Sequence, residues 1–192
     1  MIWDAHILAG GHARRLGGHD KSALVVGGRR VLDRQLDALF GRAARIVIVG
    51  GPERHIADGV EVIADRLPGI GALGGLYTAL VSATSERTLV LAGDMPFVTG
   101  PFLEYLATTG GDCDATVPRD RHGLHPLCAV YARSAAPAIR RSIDEGVRRI
   151  RDAIEPLRIH VIEGAALEAF DPGGRLLENV NTPDDYARVT RG

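Results

Sequence analysis

What this chain is short of narrows the reading first. It carries 23 lysines and arginines in total, yet only one is a lysine, Lys21. Asparagine occurs only at positions 179 and 181. The two cysteines, Cys113 and Cys128, lie on apolar segments, and that usage fits buried thiols in a reducing compartment better than a disulfide framework or a thiolate metal site. No run approaches the ~20 apolar residues of a membrane span. A formal net charge of −1 makes no electrostatic case for nucleic acid or for a membrane surface as partner. Asp4 and His6 interrupt the first apolar run, so it does not read as a secretory signal, and the expected location is cytoplasmic.

What is present points to one loop. Four glycines fall within nine positions, Gly10, Gly11, Gly17 and Gly18, directly after the apolar run Ala5-His6-Ile7-Leu8. Glycines at this density permit positive φ and let backbone N–H groups approach a bulky anion. Arg14, Arg15 and Lys21 bring cations to the same loop. Lysine is a compact point charge and arginine a planar fork, so the two are not interchangeable at a phosphate. A chain that uses arginine everywhere else and keeps lysine here reads as holding a polyphosphate. The Walker A spacing fails, because Lys21 follows Asp20 rather than glycine.

At 192 residues and 45% hydrophobic composition, one domain with a sizeable core is expected. Strand-like runs at 5–8, 45–49, 60–64, 88–92, 115–118, 127–131 and 158–162 alternate with helical spacings. Predicted helices cover 31–40, 76–83, 101–106, 135–145 with Ser134 as cap, 147–154 and 183–189, with a short helical turn at 53–58. The alternation implies a mostly parallel sheet covered on both faces, with ligands at the carboxyl ends of the strands. Leu8 to Gly11, Gly50, Asp65 and Asp94 all fall on that edge.

Asp94 ends the fully apolar run 88–92, where a carboxylate beside a phosphate loop suits magnesium; capping the next element is the other reading. Asp65 holds the same place on the preceding strand, and a turn-forming aspartate before Pro68-Gly69 is its alternative. Gly69-Ile70-Gly71-Ala72-Leu73-Gly74 matches the dinucleotide fingerprint, with Asp94 twenty residues on. Four residues intervene between strand and glycines, however, where that fingerprint needs a tight turn off the strand.

Leu8-Ala9-Gly10-Gly11 followed by Arg15-Leu16-Gly17-Gly18-x-Asp20-Lys21 resembles the signature of the molybdenum cofactor guanylyltransferases, the MobA-like branch of the nucleotidyltransferase superfamily. The resemblance continues through Pro68-Gly69 to Gly74-Gly75, Gly93-Asp94-Met95-Pro96, His125-Pro126 and Asn179-Val180-Asn181-Thr182-Pro183. Ala72 stands where the family often has proline. The cytidylyltransferase sister branch tends to read Leu-Ala-Ala-Gly, so Gly10-Gly11 favours guanine.

The resemblance implies a three-layer α/β/α Rossmann-like, GT-A-type nucleotidyltransferase fold. Residues 1–192 would form one domain, with 1–100 mainly nucleotide-binding and 101–192 mainly on the acceptor side. It implies transfer of GMP from GTP to the phosphate of molybdopterin, with release of pyrophosphate. Asp94 would hold Mg²⁺, Lys21 and Arg15 would take the leaving charge, and Leu8, Ala9, Gly10 and Gly11 would present main chain to the nucleotide. Gly50 and Asp65 would lie near base or ribose, and Asn179, Asn181 and His125 would border the acceptor. Other cofactor-biosynthesis proteins and recipient molybdoenzymes are the implied macromolecular partners. No general base is expected, because a phosphate monoester is already ionised near neutral pH. Asn181 or Thr182 capping a helix, and a structural His125, stay open beside these roles. Arg148, Arg149 and Arg151 read as a solvated helix face. A nucleotidyltransferase using CTP or a sugar phosphate, and a GTP-binding regulatory module without turnover, are the rival readings.

Overall fold

The structure, a computed structural model, describes residues 1–9, 24–51, 56–180 and 185. Gly10, Gly11, Arg15, Lys21 and Asn181 therefore lie outside the described residues, as do the first half of the predicted turn at 53–58 and most of the helix at 183–189.

The first strand, β1 (Trp3–Leu8), is buried along its whole length, as a strand covered on both faces must be. A two-residue ribbon, β2 (Val25–Val26) and β3 (Arg29–Arg30), leads into α1 (Val31–Leu39). Then follow β4 (Arg45–Val49), β5 (Val60–Ile63), α2 (Ala72–Ser82), β6 (Arg87–Ala92) and α3 (Gly100–Thr108). The second half runs β7 (Ala115–Asp120), β8 (Gly123–Leu124), β9 (Cys128–Ala132), α4 (Ala136–Asp144), α5 (Ile150–Ile154), β10 (Ile159–Ile162) and α6 (Ala165–Glu168).

The sheet order is β5-β4-β1-β6-β9-β7-β10, with β8 hairpinned onto β7. Along that seven-strand order pairings are parallel except that β9 runs against both β6 and β7; the β7–β8 hairpin is antiparallel too. Period-2 alternation divides the strands between two cores. Ala5, Ile7, Leu89 and Leu91 pack with Leu36 of α1 and Phe102 of α3 on one face. Leu8, Val90, Ala129 and Tyr131 pack with Leu76 of α2 and Ile139 of α4 on the other. The expected three-layer α/β/α, mostly parallel architecture is what forms.

Several boundaries differ from expectation. α2 begins at Ala72 rather than Leu76, taking Gly74 and Gly75 into its first turns. The loop expected between β7 and β9 contains the β7–β8 hairpin. Ser134 makes no capping bond: a 3₁₀ turn, Arg133–Ala135, precedes α4, whose cap position is Ala135. α5 starts only at Ile150, α6 is additional, and Cys113 is half-buried rather than buried. The fully apolar setting of Cys128 does hold, and burial pushes its thiol up to about 12.

One consequence of β9 running backwards decides where the site can extend. The carboxyl ends of β6, β7 and β10 and the amino end of β9 share one sheet edge, so residues of the second half reach the edge where Leu8, Gly50, Asp65 and Asp94 stand.

Candidate active site at the carboxyl edge of the sheet

The chain turns sharply after β6. Gly93 donates its N–H to Leu8 O at 3.1 Å, and a Cβ at position 93 would sit 3.1 Å from that same oxygen, so a side chain there would press on the backbone of β1. Asp94, next in the chain, is 4% exposed. Its main-chain O accepts Val180 N–H at 2.9 Å, and its Oδ1 accepts Asn179 Nδ2 at 3.0 Å. Asn179, placed by sequence on the acceptor side, therefore touches the expected metal carboxylate directly.

Behind the turn, Gln35 of α1 is fully buried and donates through Nε2 to Ala92 O at 2.8 Å and Met95 O at 3.1 Å. Its Oε1 has no hydrogen-bond partner among the described residues. Ala92 N–H reaches across to Leu127 O at 2.7 Å. The turn carrying Asp94 is thus fastened to β1, α1, the start of β9 and the segment before residue 181. Sequence reasoning missed Gln35, although it is the chain's single glutamine and sits at a core position of an amphipathic helix.

Asp65 and Asp94 both line a cavity of about 240 Å³, together with Leu8, Val49, Gly75 and Asn179. Its Oδ1 accepts Leu67 N–H at 3.0 Å and the Thr78 hydroxyl at 2.8 Å. The turn-forming reading of Asp65 is what its Oδ1 does, and the residue also lines the cavity. Gly74 has no room for a side chain, since a Cβ there would lie 2.7 Å from Leu67 O. Of the dinucleotide-like glycines, Gly74 therefore serves close packing of this wall on α2, while Gly69 and Gly71 take the positive φ that the turn before α2 needs.

The main-chain groups expected at the nucleotide are partly committed to the sheet. Leu8 O accepts Gly93 N–H, Ala9 N–H goes to Val49 O at 3.1 Å, and Gly50 N–H goes to Ile63 O at 2.9 Å. The Leu8 side chain lines the cavity and packs over Gly75, where a Cβ would meet it at 3.1 Å.

A second, larger hollow of about 1010 Å³ runs along the same edge past the ends of β7 and β10, and Asn179 borders both. His125 lines it, with Nε2 2.9 Å from Asp120 Oδ1. Burial pushes the Asp120 carboxyl up, but the His125 ring and the His122 N–H outweigh it and hold the group below the ordinary carboxylate range. The His125-Pro126 turn is fixed from inside by the buried Tyr131 hydroxyl, which donates to Pro126 O at 2.7 Å. Arg119, Arg121 and Arg175 add cations to the wall, interleaved with Glu163, Glu168 and Asp171. Arg148 and Arg149 are exposed as expected, while Arg151 donates to Leu124 O at 3.0 Å and so braces the β7–β8 hairpin.

The sequence profile of the MobA-like NTP transferase domain matches residues 5–159. The chain belongs to that family. This nucleotidyltransferase is 33% identical over 184 residues, 95% of its own length and 89% of the relative's, to a protein of Pelotomaculum thermopropionicum named probable molybdenum cofactor guanylyltransferase. It is 35% identical to a protein of the same name from Chloroflexus aggregans, covering 98% of this chain and 94% of that one. The crystal structure of molybdopterin-guanine dinucleotide biosynthesis protein A from Archaeoglobus fulgidus superposes with a TM-score of 0.83 at 31% identity, covering 98% and 97% of the two chains. A 2-C-methyl-D-erythritol 4-phosphate cytidylyltransferase from Thermus thermophilus shares the fold, at a TM-score of 0.69 and 15% identity over 97% and 96%.

Proposed function

We propose that this enzyme transfers GMP from GTP to the phosphate of molybdopterin and releases pyrophosphate. The observation that carries the reading is Asn179, which holds the Asp94 carboxylate from the small cavity while also lining the large one. A nucleotide in the first hollow and a phosphorylated acceptor in the second would meet at this pair. The names of the relatives supply the chemistry of donor and acceptor.

Asp94 suits a hard divalent cation, the expected one being Mg²⁺. Among the described residues no group of three or more His, Cys, Asp and Glu side chains converges. That fits an ion held by one or two carboxylates and completed by substrate phosphates and water rather than a dedicated protein cage. Bound there, the ion would neutralise charge on the triphosphate. The chain's own part is alignment: Asn179, Val180 N–H and Gln35 hold the Asp94 turn, and Asp65 and Leu8 shape the nucleoside side. Lys21 and Arg15 would take the charge that grows on pyrophosphate as the acceptor phosphate oxygen attacks the α-phosphorus. Residues 1–100 would then carry the nucleotide, and His125 and the β7–β8 hairpin the acceptor. The proposed setting is cytoplasmic, with cofactor-biosynthesis proteins and recipient molybdoenzymes as partners; no described helix is long and apolar enough to cross a membrane.

The test is pyrophosphate release with GTP, CTP, ATP or UTP in the presence of molybdopterin and Mg²⁺. Release that is confined to GTP and depends on molybdopterin is expected. Consumption of CTP alone, or GTP binding without any turnover, overturns the proposal.

A further inference from the structure

Thr78, on the buried face of α2, is 0% exposed, and its hydroxyl is fully employed. The hydroxyl accepts Arg66 N–H at 3.0 Å and donates to Asp65 Oδ1 at 2.8 Å. The same Oδ1 accepts Leu67 N–H at 3.0 Å. Two donated bonds fill the lone pairs of that oxygen. Oδ2 takes no hydrogen bond from the described residues, and it lies where a Cβ on Gly74 would come within 3.3 Å, so the absent side chain at 74 keeps its surroundings clear. Asp65 lines the 240 Å³ cavity together with Asp94. A carboxylate fixed through one oxygen and open at the other is an oriented acceptor for a single N–H or O–H group.

We infer that Thr78 is a positioning residue for nucleotide recognition: by holding Asp65 Oδ1 it aims Oδ2 at a hydrogen-bond donor of the bound nucleoside. The inference rests on the nucleotide reading above. The donor chemistry is common to two parts of GTP, the amino edge of guanine and the ribose hydroxyls, and analogues separate them. Inosine triphosphate lacks the exocyclic amine, and 2′-deoxy-GTP lacks one hydroxyl. A carboxylate that swings freely loses most of its advantage with either donor, because the bond must then repay the cost of ordering the side chain.

The experiment is equilibrium binding of GTP, inosine triphosphate and 2′-deoxy-GTP to the full chain by titration calorimetry, for wild type, Thr78→Val and Thr78→Ser. Thr78→Val keeps the shape and deletes the hydroxyl. Its expected effect is GTP binding weaker by about tenfold, the scale of one hydrogen bond to a charged group. The penalty wild type shows against one of the two analogues is expected to vanish in Thr78→Val, and kcat at saturating GTP to stay within about twofold of wild type. Thr78→Ser, which restores the hydroxyl, is expected to restore both affinity and discrimination, a rescue that packing alone would not give. Unaltered GTP affinity in Thr78→Val overturns the inference. So does weaker binding with discrimination intact against both analogues, and so does a wild type that binds all three alike. A wild type that takes up no GTP refutes the nucleotide reading itself, and the inference falls with it.

Discussion

His6 makes the interior of this enzyme sensitive to acid. The residue sits mid-strand in β1 with no exposed surface. Its Nδ1 is 2.7 Å from the Thr88 hydroxyl and its Nε2 is 3.0 Å from the Ser82 hydroxyl. Burial is the main reason its pKa falls from 6.5 to about 4; the Asp4 and Glu61 carboxylates oppose that fall and Arg45 adds to it. The unfolded chain therefore binds a proton at His6 that the folded chain refuses. Stability is complete above pH 6.5 and drains as the pH drops toward 4. The whole effect is about 3 kcal/mol, of which about 2 kcal/mol is gone by pH 5. Asp4 does not confuse this window. Burial raises its pKa, but four hydrogen bonds from Thr84 and Ser85 outweigh that and hold it below 3.8, so its contribution is lost only in stronger acid. Urea unfolding of wild type and His6→Gln at pH 7.5, 6.0 and 5.0 measures the term. Wild type should lose about 2 kcal/mol more than the variant between the extremes. Equal losses in the two proteins would refute the assignment of the acid sensitivity to His6.

Two further expectations concern the Asp94 turn. Asn179→Asp replaces the donated bond on Asp94 by a second carboxylate, so kcat should fall about 10- to 100-fold and more Mg²⁺ should be needed to activate the enzyme; an unchanged metal titration would mean Asn179 serves the acceptor alone. Gln35→Met keeps the volume while removing two bonds to Ala92 O and Met95 O. It should cost about 2 kcal/mol of stability in a urea melt, and lower kcat under conditions where the variant is fully folded. A wild-type kcat there would show that the turn keeps its shape without α1.

How far the sequence reached differs from residue to residue. The glycine spacing, the apolar run before Asp94 and the alternation of strand and helix are local signals, and they placed the layers and the strand ends that form the site edge. Asp94 and Asp65 could be picked out because each follows a strand, buried β6 for Asp94 and the edge strand β5 for Asp65, and the carboxyl end of a parallel strand is where a ligand can reach. Asn179 was visible as a rare residue, but its place beside Asp94 was not, since the two are 85 residues apart in the chain. Gln35 is marked only by being the single glutamine, and Thr78 by nothing local: a polar residue at a core position of a helix reads as a break in the pattern until its partner is known. The start of α2 was misplaced for a similar reason. Gly74 and Gly75 are poor helix formers taken up because close packing on Leu67 and Leu8 requires residues without side chains, and that demand arises in another segment.

The sequence by itself determined the fold class, the membership of the family and the edge of the sheet on which the candidate site residues lie, because these follow from periodicity and from short contiguous motifs. Only the tertiary structure decided which oxygen of Asp65 builds the turn, which side chains hold Asp65 and Asp94, and that Asn179 borders both hollows. Those facts depend on the antiparallel β9 and on hydrogen bonds between residues distant in the chain, and no local pattern encodes such a meeting.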